Sequence, residues 1–324
     1  MRLAVLADIH GNIHALQAVA AKLEELQPDV VIVNGDLINA VPFSNEVVDF
    51  LRTTDWSVIR GNHEFYYLDF VAGRAPESWQ DPERWGQLHW LIDHLCSENG
   101  TYLAALPDDV AYYFPQSEPF RVAHGVPGNN RMGFINRTPA AEIISQIRDI
   151  SQATFVNAHS HRQIDRLVSV EPRHDEESGG DPFFLLENKG ERSSPFTWHL
   201  INPGSVGLPL NGDWRAQFAI MESISPTAIP GGWRASHYRI AYDRRPALAA
   251  YEASGMKAAG GVISELFYWE LVTAQPEIVC FFQWKRANLP PGVYTFQDEF
   301  DAYKRATGRE AYIRQRDPLL VGGF

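Results

Sequence analysis

The chain has 324 residues, 45% hydrophobic and 21% charged, ordinary proportions for a globular protein long enough for one large or two modest domains. A net charge of −12 argues against a nucleic-acid-binding surface, which needs a basic patch, but leaves room for a nucleotide-sized substrate whose phosphates meet the charge of bound metal ions. Cys96 and Cys280 lie far apart, outside any C-x-x-C pair, and read as free buried thiols. No apolar run approaches the roughly 18 residues of a membrane span, and the first strand begins too early for a signal peptide, so the expected compartment is the cytoplasm.

Residues 3–7 read as the first strand and 14–26 as a helix, with Ala15, Leu16, Val19, Leu23 and Leu26 at helical spacing. Pro28 ends that helix. The β-branched run at 30–33 is the second strand, expected to pair in parallel with the first through a right-handed crossover. A helix at 45–51, a strand at 56–59, a helix at 63–72 and one continuous helix at 82–98 follow. Beyond residue 102 short apolar runs alternate with turns, at 110–114, 120–124, 154–158, 165–170, 183–187, 197–202, 217–223 and 236–242. They suggest a second, largely antiparallel sheet stacked on the first. The polar stretch 171–195 reads as an extended hairpin with mobile ends, and 246–259 as a helix.

Five segments carry metal-ligand chemistry: Asp8-Ile9-His10, Asn34-Gly35-Asp36, Gly61-Asn62-His63-Glu64, Ala123-His124-Gly125 and Ala158-His159-Ser160-His161. Three of them directly follow an apolar, β-branched run, where α/β folds place their chemistry, at the carboxyl ends of strands. Carboxylate, imidazole and amide donors converging there suit two divalent ions, and no cysteine lies nearby to favour a soft-metal or structural zinc site.

The order and spacing of these segments resemble the calcineurin-like metallophosphoesterases: Asp-x-His, Gly-Asp, Gly-Asn-His-Asp/Glu, His and Gly-His-x-His. Asn202-Pro203-Gly204-Ser205-Val206 is also similar to a segment of the small bacterial and archaeal phosphodiesterase branch. The resemblance covers about residues 1–250. It departs from the pattern at Ala158, in place of glycine, and at Glu64, in place of aspartate. It implies an α/β fold, a four-layer αββα sandwich of two mixed sheets flanked by helices. By carry-over, Asp36 bridges two ions, the first held also by Asp8, His10 and His161, the second by Asn62, His124 and His159. Manganese is the first choice of metal, with iron, zinc, nickel or magnesium as alternatives. His159 and His161, two apart, would share one face of a strand and so serve neighbouring ions.

His63 resembles the family's general acid, with Glu64 expected to orient it or favour its protonated form. Gly11 and Asn12 are expected to shape the turn into the first helix near a phosphate oxygen. The implied reaction is hydrolysis of a small phosphorylated substrate, first a phosphodiester. A hydroxide held between the ions would attack phosphorus in line while His63 protonates the departing oxygen. Phosphomonoesterase, protein phosphatase and dinucleotide-polyphosphate hydrolase activities are the alternatives within the fold. A non-catalytic interaction scaffold is the alternative outside it, disfavoured because every ligand and His63 are present.

Other polar residues read more plainly. His14 falls on a helix surface or behind the ligands, His89 and His94 beside Trp85 and Trp90 as structural groups, and His174, His199 and His237 without a partner motif. Arg60 is split between phosphate contact and a salt bridge, and Asn129, Asn130 and Arg131 between substrate choice and a plain turn. The expected domains are 1–259, catalytic, and 260–324, an aromatic-rich extension. The extension's density of large apolar rings requires it to pack on the core or in a homodimer contact, bordering the active-site side without supplying a ligand.

Overall fold

A computed structural model describes residues 1–170 and 195–322. Among them ten strands form two five-stranded mixed sheets. The first is built on β1 (Arg2–Leu6), β2 (Val30–Asn34) and β3 (Ser57–Ile59), which run parallel. The crossovers are α1 (Ile13–Leu26) and α2 (Ser44–Arg52). Alternation along β1 and β2 divides the layers. Ala4, Leu6, Val31 and Val33 face the helices, while Leu3, Val5 and Ile32 face the second sheet.

Behind β3 come α3 (Asn62–Val71), α4 (Pro82–His94) and α5 (Ser97–Ala105). The expected single helix over 82–98 is therefore two. The break falls at Leu95 and Cys96, which are extended before Ser97. The second sheet contains β4 (Asp109–Tyr112), β5 (Phe120–Ala123), β6 (Thr154–Val156), β7 (Gln163–Val170) and β8 (Phe196–Pro203), in the order β4-β5-β6-β8-β7. It is mixed rather than largely antiparallel, because β5, β6 and β8 run parallel. α6 (Ala140–Ile147) covers its outer face through Ile143 and Ile147. The last two runs also depart from expectation. β9 (Ala216–Ser223) and β10 (Trp233–Ile240) return to the first sheet, β9 antiparallel to β1. Apolar alternation fixes which face of a strand is buried but not which sheet it joins. The two sheets meet over Leu3, Val5, Ile32, Phe120, Val122, Val156 and Trp233, giving the four-layer αββα sandwich. The hairpin expected over 171–195, its apolar run and His174 lie outside the described residues, Pro195 excepted.

The expected helix over 246–259 is also divided, into α7 (Arg245–Ala253) and the start of α8 (Met256–Thr273), which itself breaks at Gly261. α9 (Glu277–Asn288), α10 (Phe296–Thr307), α11 (Arg309–Arg314) and α12 (Pro318–Val321) complete the described chain. The aromatics of this extension are shared with the sandwich. Trp269, Phe281, Phe300 and Tyr303 form one cluster with Ala40, Val41, Trp90 and Leu208. α8 lies against α4 so closely that a Cβ on Gly86 would come 2.2 Å from the Ala259 carbonyl oxygen. Among the described residues no helix is long and apolar enough to cross a membrane. Cys96 and Cys280 are free, as expected, but exposed rather than buried.

Candidate metal centre

The site is assembled where the loops after β1, β2 and β3 run side by side. Asp8 N–H donates to Gly35 O, His10 N–H to Asp36 O and Gly11 N–H to Leu37 O, at 2.8–3.0 Å. The contact between the second and third loops demands glycine on both sides. A Cβ on Gly35 would sit 2.5 Å from the Gly61 nitrogen, and one on Gly61 would sit 2.2 Å from Asp36 Oδ1. Asp8, His10, Asp36, His159 and His161 all take left-handed backbone conformations, with φ between 52° and 64°. Each such non-glycine residue costs about 1 kcal/mol or more, and strain of this kind gathers at functional sites. His159 and His161 accordingly lie in the turn after β6, not on one face of a strand; the turn aims them apart.

Two donor groups result, each with its ligand atoms within 4.8 Å of one another: Asp8, His10, Asp36 and His161, and Asp36, His124 and His159. Asp36 belongs to both. Its Oδ2 lies 3.1 Å from His124 Nε2 and 3.6 Å from His10 Nε2, while its Oδ1 accepts the His63 amide. Asn62 Oδ1 joins the second group, 3.1 Å from His124 Nε2 and 2.8 Å from His159 Nδ1.

The outer ring atoms are anchored. His124 Nδ1 donates to Asn34 O at 2.8 Å and His161 Nδ1 to Leu208 O at 2.5 Å, which fixes each ring with its Nε2 facing inward. The segment 202–206 braces the same loops: Asn202 donates to Ala158 O, and Ser205 Oγ to Asp8 O.

The donor set fits divalent cations. Both Asp8 oxygens are buried without a hydrogen-bond donor, beside the Nε2 atoms of His10 and His161, which lie 3.1 Å apart. A buried carboxylate without a donor is costly unless a cation lies against it. Burial, reinforced by neighbouring imidazoles, depresses His159 to about 3 and His161 to about 4, and holds His10 well below the usual range, which favours the neutral form that can bind a metal. Burial raises Asp8. It would raise Asp36 too, but His124 and His63 overcome it and hold that carboxyl low. Against its own burial, His124 is lifted to about 10 by Asp36 and then Asp8. Burial lowers His63, with His124 and Arg131 adding to it against Asp36.

Glu64 does not orient His63. Its Oε2 accepts the Asp36 and Gly61 amides and its Oε1 those of Leu37 and Ile38, at 2.7–3.2 Å, so it clamps the Asp36 loop. Consecutive residues of α3 project about 100° apart, so His63 and Glu64 cannot face one partner. Burial and the Asp36 charge push Glu64 up to about 7, while four amide donors favour its ionised form. The partner of His63 is Asn39, whose Nδ2 lies 2.9 Å from His63 Nδ1. Asn39 Oδ1 accepts from Gln87 Nε2 at 3.1 Å, and Gln87 Oε1 accepts from Ser264 Oγ at 2.5 Å. This relay from α8 through α4 leaves the His63 proton on Nε2. Sequence reading missed Asn39, Gln87 and Ser264, since isolated polar residues in a loop and two helices carry no motif.

Asn12 caps α1 through the Ala15 amide and ties Gly207 O and Tyr242 to it, and Gly11 turns at φ 68°. Arg60 takes the structural option, pairing with Asp108. His199 pairs with Asp165 at 2.6 Å, and His237 with Asn202 O at 2.9 Å. His89 and His94 bond the carbonyls of Trp79 and Trp90, and His14 packs edge-on against Phe43. Arg131 stacks 4.6 Å from the Tyr66 ring centroid.

This fold and this donor set define a metallophosphoesterase. The sequence model of the calcineurin-like phosphoesterase family matches residues 1–190, and the chain belongs to that family, as a metal-dependent phosphoester hydrolase. It is similar to an uncharacterized protein of Methanocaldococcus jannaschii, 25% identical over 222 residues, covering 68% of this chain and 82% of the relative. Among solved structures it is similar in fold to a metallophosphoesterase from Sphaerobacter thermophilus, with TM-score 0.58 and 22% identity over 85% of this chain and 99% of that one. It is likewise similar to a hypothetical protein from Pyrococcus horikoshii OT3, with TM-score 0.59 and 17% identity over 82% and 97%.

Proposed function

We propose that the chain is a binuclear phosphodiesterase. The observation that carries the binuclear reading is Asp36, the one carboxylate common to both donor groups. In this reading Asp8, His10, Asp36 and His161 hold one ion, and Asp36, Asn62, His124 and His159 the other. Manganese suits the imidazole, carboxylate and amide donors. Bound there, the ions would activate the attacking water and neutralise charge growing on the phosphoryl oxygens. To act as the acid His63 first takes up a second proton; as the imidazolium it gives the Nε2 proton to the departing oxygen and returns to the neutral form that Asn39 holds, its ring edge-on to His10 at 4.7 Å.

Two cavities flank the centre and favour a diester over a monoester. One of about 470 Å³ reaches His63, and one of about 360 Å³ reaches His124 beneath the loop 125–131. Tyr66 lines the first, Arg131 lines the second, and the stack between them forms a common wall. A diester has a substituent for each; a monoester fills one. Residues 1–259 are the catalytic unit in this reading, and 260–324 an extension that closes the His63 cavity.

The test is turnover of bis-p-nitrophenyl phosphate against p-nitrophenyl phosphate with manganese, beside His63→Ala. The diester should be preferred. The variant should keep its metal and lose about 10²–10⁴-fold in rate on esters with poor leaving groups, and less on p-nitrophenyl esters, whose leaving group needs no proton. Preference for the monoester would move the reading to a phosphomonoesterase, and equal losses for good and poor leaving groups would remove His63 as the acid.

A further inference from the structure

The cavity beside His63 is built jointly by the sandwich and the extension. Tyr66, Trp85 and Leu88 form one side; Ile263, Phe267, Ile278 and Phe282 form the other. Phe267 approaches the His63 ring edge-on at 6.4 Å. At about 470 Å³ it lies in the size range of small-molecule sites. Its place is specific. The group that protonates the departing oxygen stands at its wall, so the space beyond His63 is where the leaving alcohol goes.

The cavity's polar groups decide what kind of alcohol. Asn39 spends its amide on His63 and its carbonyl on Gln87; Gln87 spends its carbonyl on Ser264 and its amide on Asn39 and the Ala40 carbonyl. Arg84 sits half exposed, turned toward Asp81 and the Phe296 ring. A nucleobase entering beside Asn39 and Gln87 would bury donors and acceptors opposite side chains already committed, at a cost of roughly tenfold or more in affinity for each group left unpaired. An apolar ring would bury its surface against four aromatic and three aliphatic side chains.

We propose that this cavity is the leaving-group site of the enzyme and selects phosphodiesters of apolar, ring-bearing alcohols over those of nucleosides. The assignment rests on the phosphodiesterase reading above. It gives the extension a function that the metal centre does not: the extension supplies more than half of the apolar wall.

Two measurements test it, with methyl phenyl phosphate and methyl 2-naphthyl phosphate as substrates of closely matched leaving groups, and 2-naphthol and adenosine as ligands. The wild-type kcat/KM should favour the naphthyl ester by about tenfold or more, from the added apolar area. By calorimetry 2-naphthol should bind at least about tenfold more tightly than adenosine. Ile278→Trp, which fills the cavity from α9, should collapse the ester ratio toward one and abolish naphthol binding. Phe282→Ala, which enlarges it, should move the preference to bulkier rings and provides a second reading should the first variant fold poorly. Equal turnover of the two wild-type esters, adenosine binding as tight as that of naphthol, or naphthol binding unchanged in Ile278→Trp would each overturn the assignment. Absence of phosphoester turnover with this binding pattern intact would instead overturn the phosphodiesterase reading on which it rests.

Discussion

Gly86→Ala sets two known effects against each other at the seam between the sandwich and the extension. Within α4, replacing glycine by alanine favours the helix by about 1 kcal/mol. The new methyl would lie 2.2 Å from Ala259 O and 3.3 Å from its carbonyl carbon, atoms of backbone that cannot swing aside as a flexible side chain would. To restore a carbon–oxygen separation of about 3.3 Å, α8 must retreat by about 1 Å. Overpacking of this kind costs about 1–3 kcal/mol. The retreat also stretches the bond from Ser264 to the neighbouring Gln87, worth about 1 kcal/mol. The steric and hydrogen-bond losses together exceed the propensity gain, so the net expectation is a destabilisation of about 1–3 kcal/mol. Urea unfolding followed by tryptophan fluorescence and by circular dichroism reads it directly. A variant about 1 kcal/mol more stable than the parent would show that propensity dominates and that α4 and α8 do not meet as described.

Two further predictions concern groups whose burial fixes their behaviour. Glu64→Ala leaves four amide donors without their acceptor. Even at about 1 kcal/mol each the loss approaches about 4 kcal/mol, and bound metal should fall with the loosened Asp36 loop. A change below about 1 kcal/mol with full metal content would refute the clamp. Glu270 is buried in α8, and burial, with the Glu277 charge added, pushes its carboxyl up to about 8. The folded state therefore keeps a proton that the unfolded chain has released. The contribution of Glu270 to stability should be fully present below the ordinary carboxyl value of about 4.5 and decline as pH rises toward about 8. Glu270→Gln should remove that decline, so its gain over the parent must be larger at pH about 9 than at pH about 5. A gain that does not change between those pH values would rule out the buried proton.

That the seven proposed ligand positions come together was legible because their chemistry is local. Asp8, Asp36 and Asn62 each follow a β-branched run, and the parallel order of β1, β2 and β3 brings those ends together. Neighbours in sequence misled where helix geometry intervenes, as at Glu64, which lies beside His63 in the chain yet turns under the Asp36 loop. The relay of Asn39, Gln87 and Ser264 was not legible, because it exists only where α4 and α8 touch, 177 residues apart in sequence. The sheet membership of β9 and β10 was hidden for a similar reason: strand pairing depends on partners that alternation does not name.

The central claim is that Asp36 joins two metal ions, and elemental analysis of the parent and Asp36→Asn after manganese loading tests it most directly. The substitution keeps the shape of the side chain and an oxygen to accept the His63 amide, but removes the charge facing His10 and His124. About two ions per chain are expected in the parent, and loss of most of both in the variant. A variant that still holds two tightly bound ions would contradict that claim.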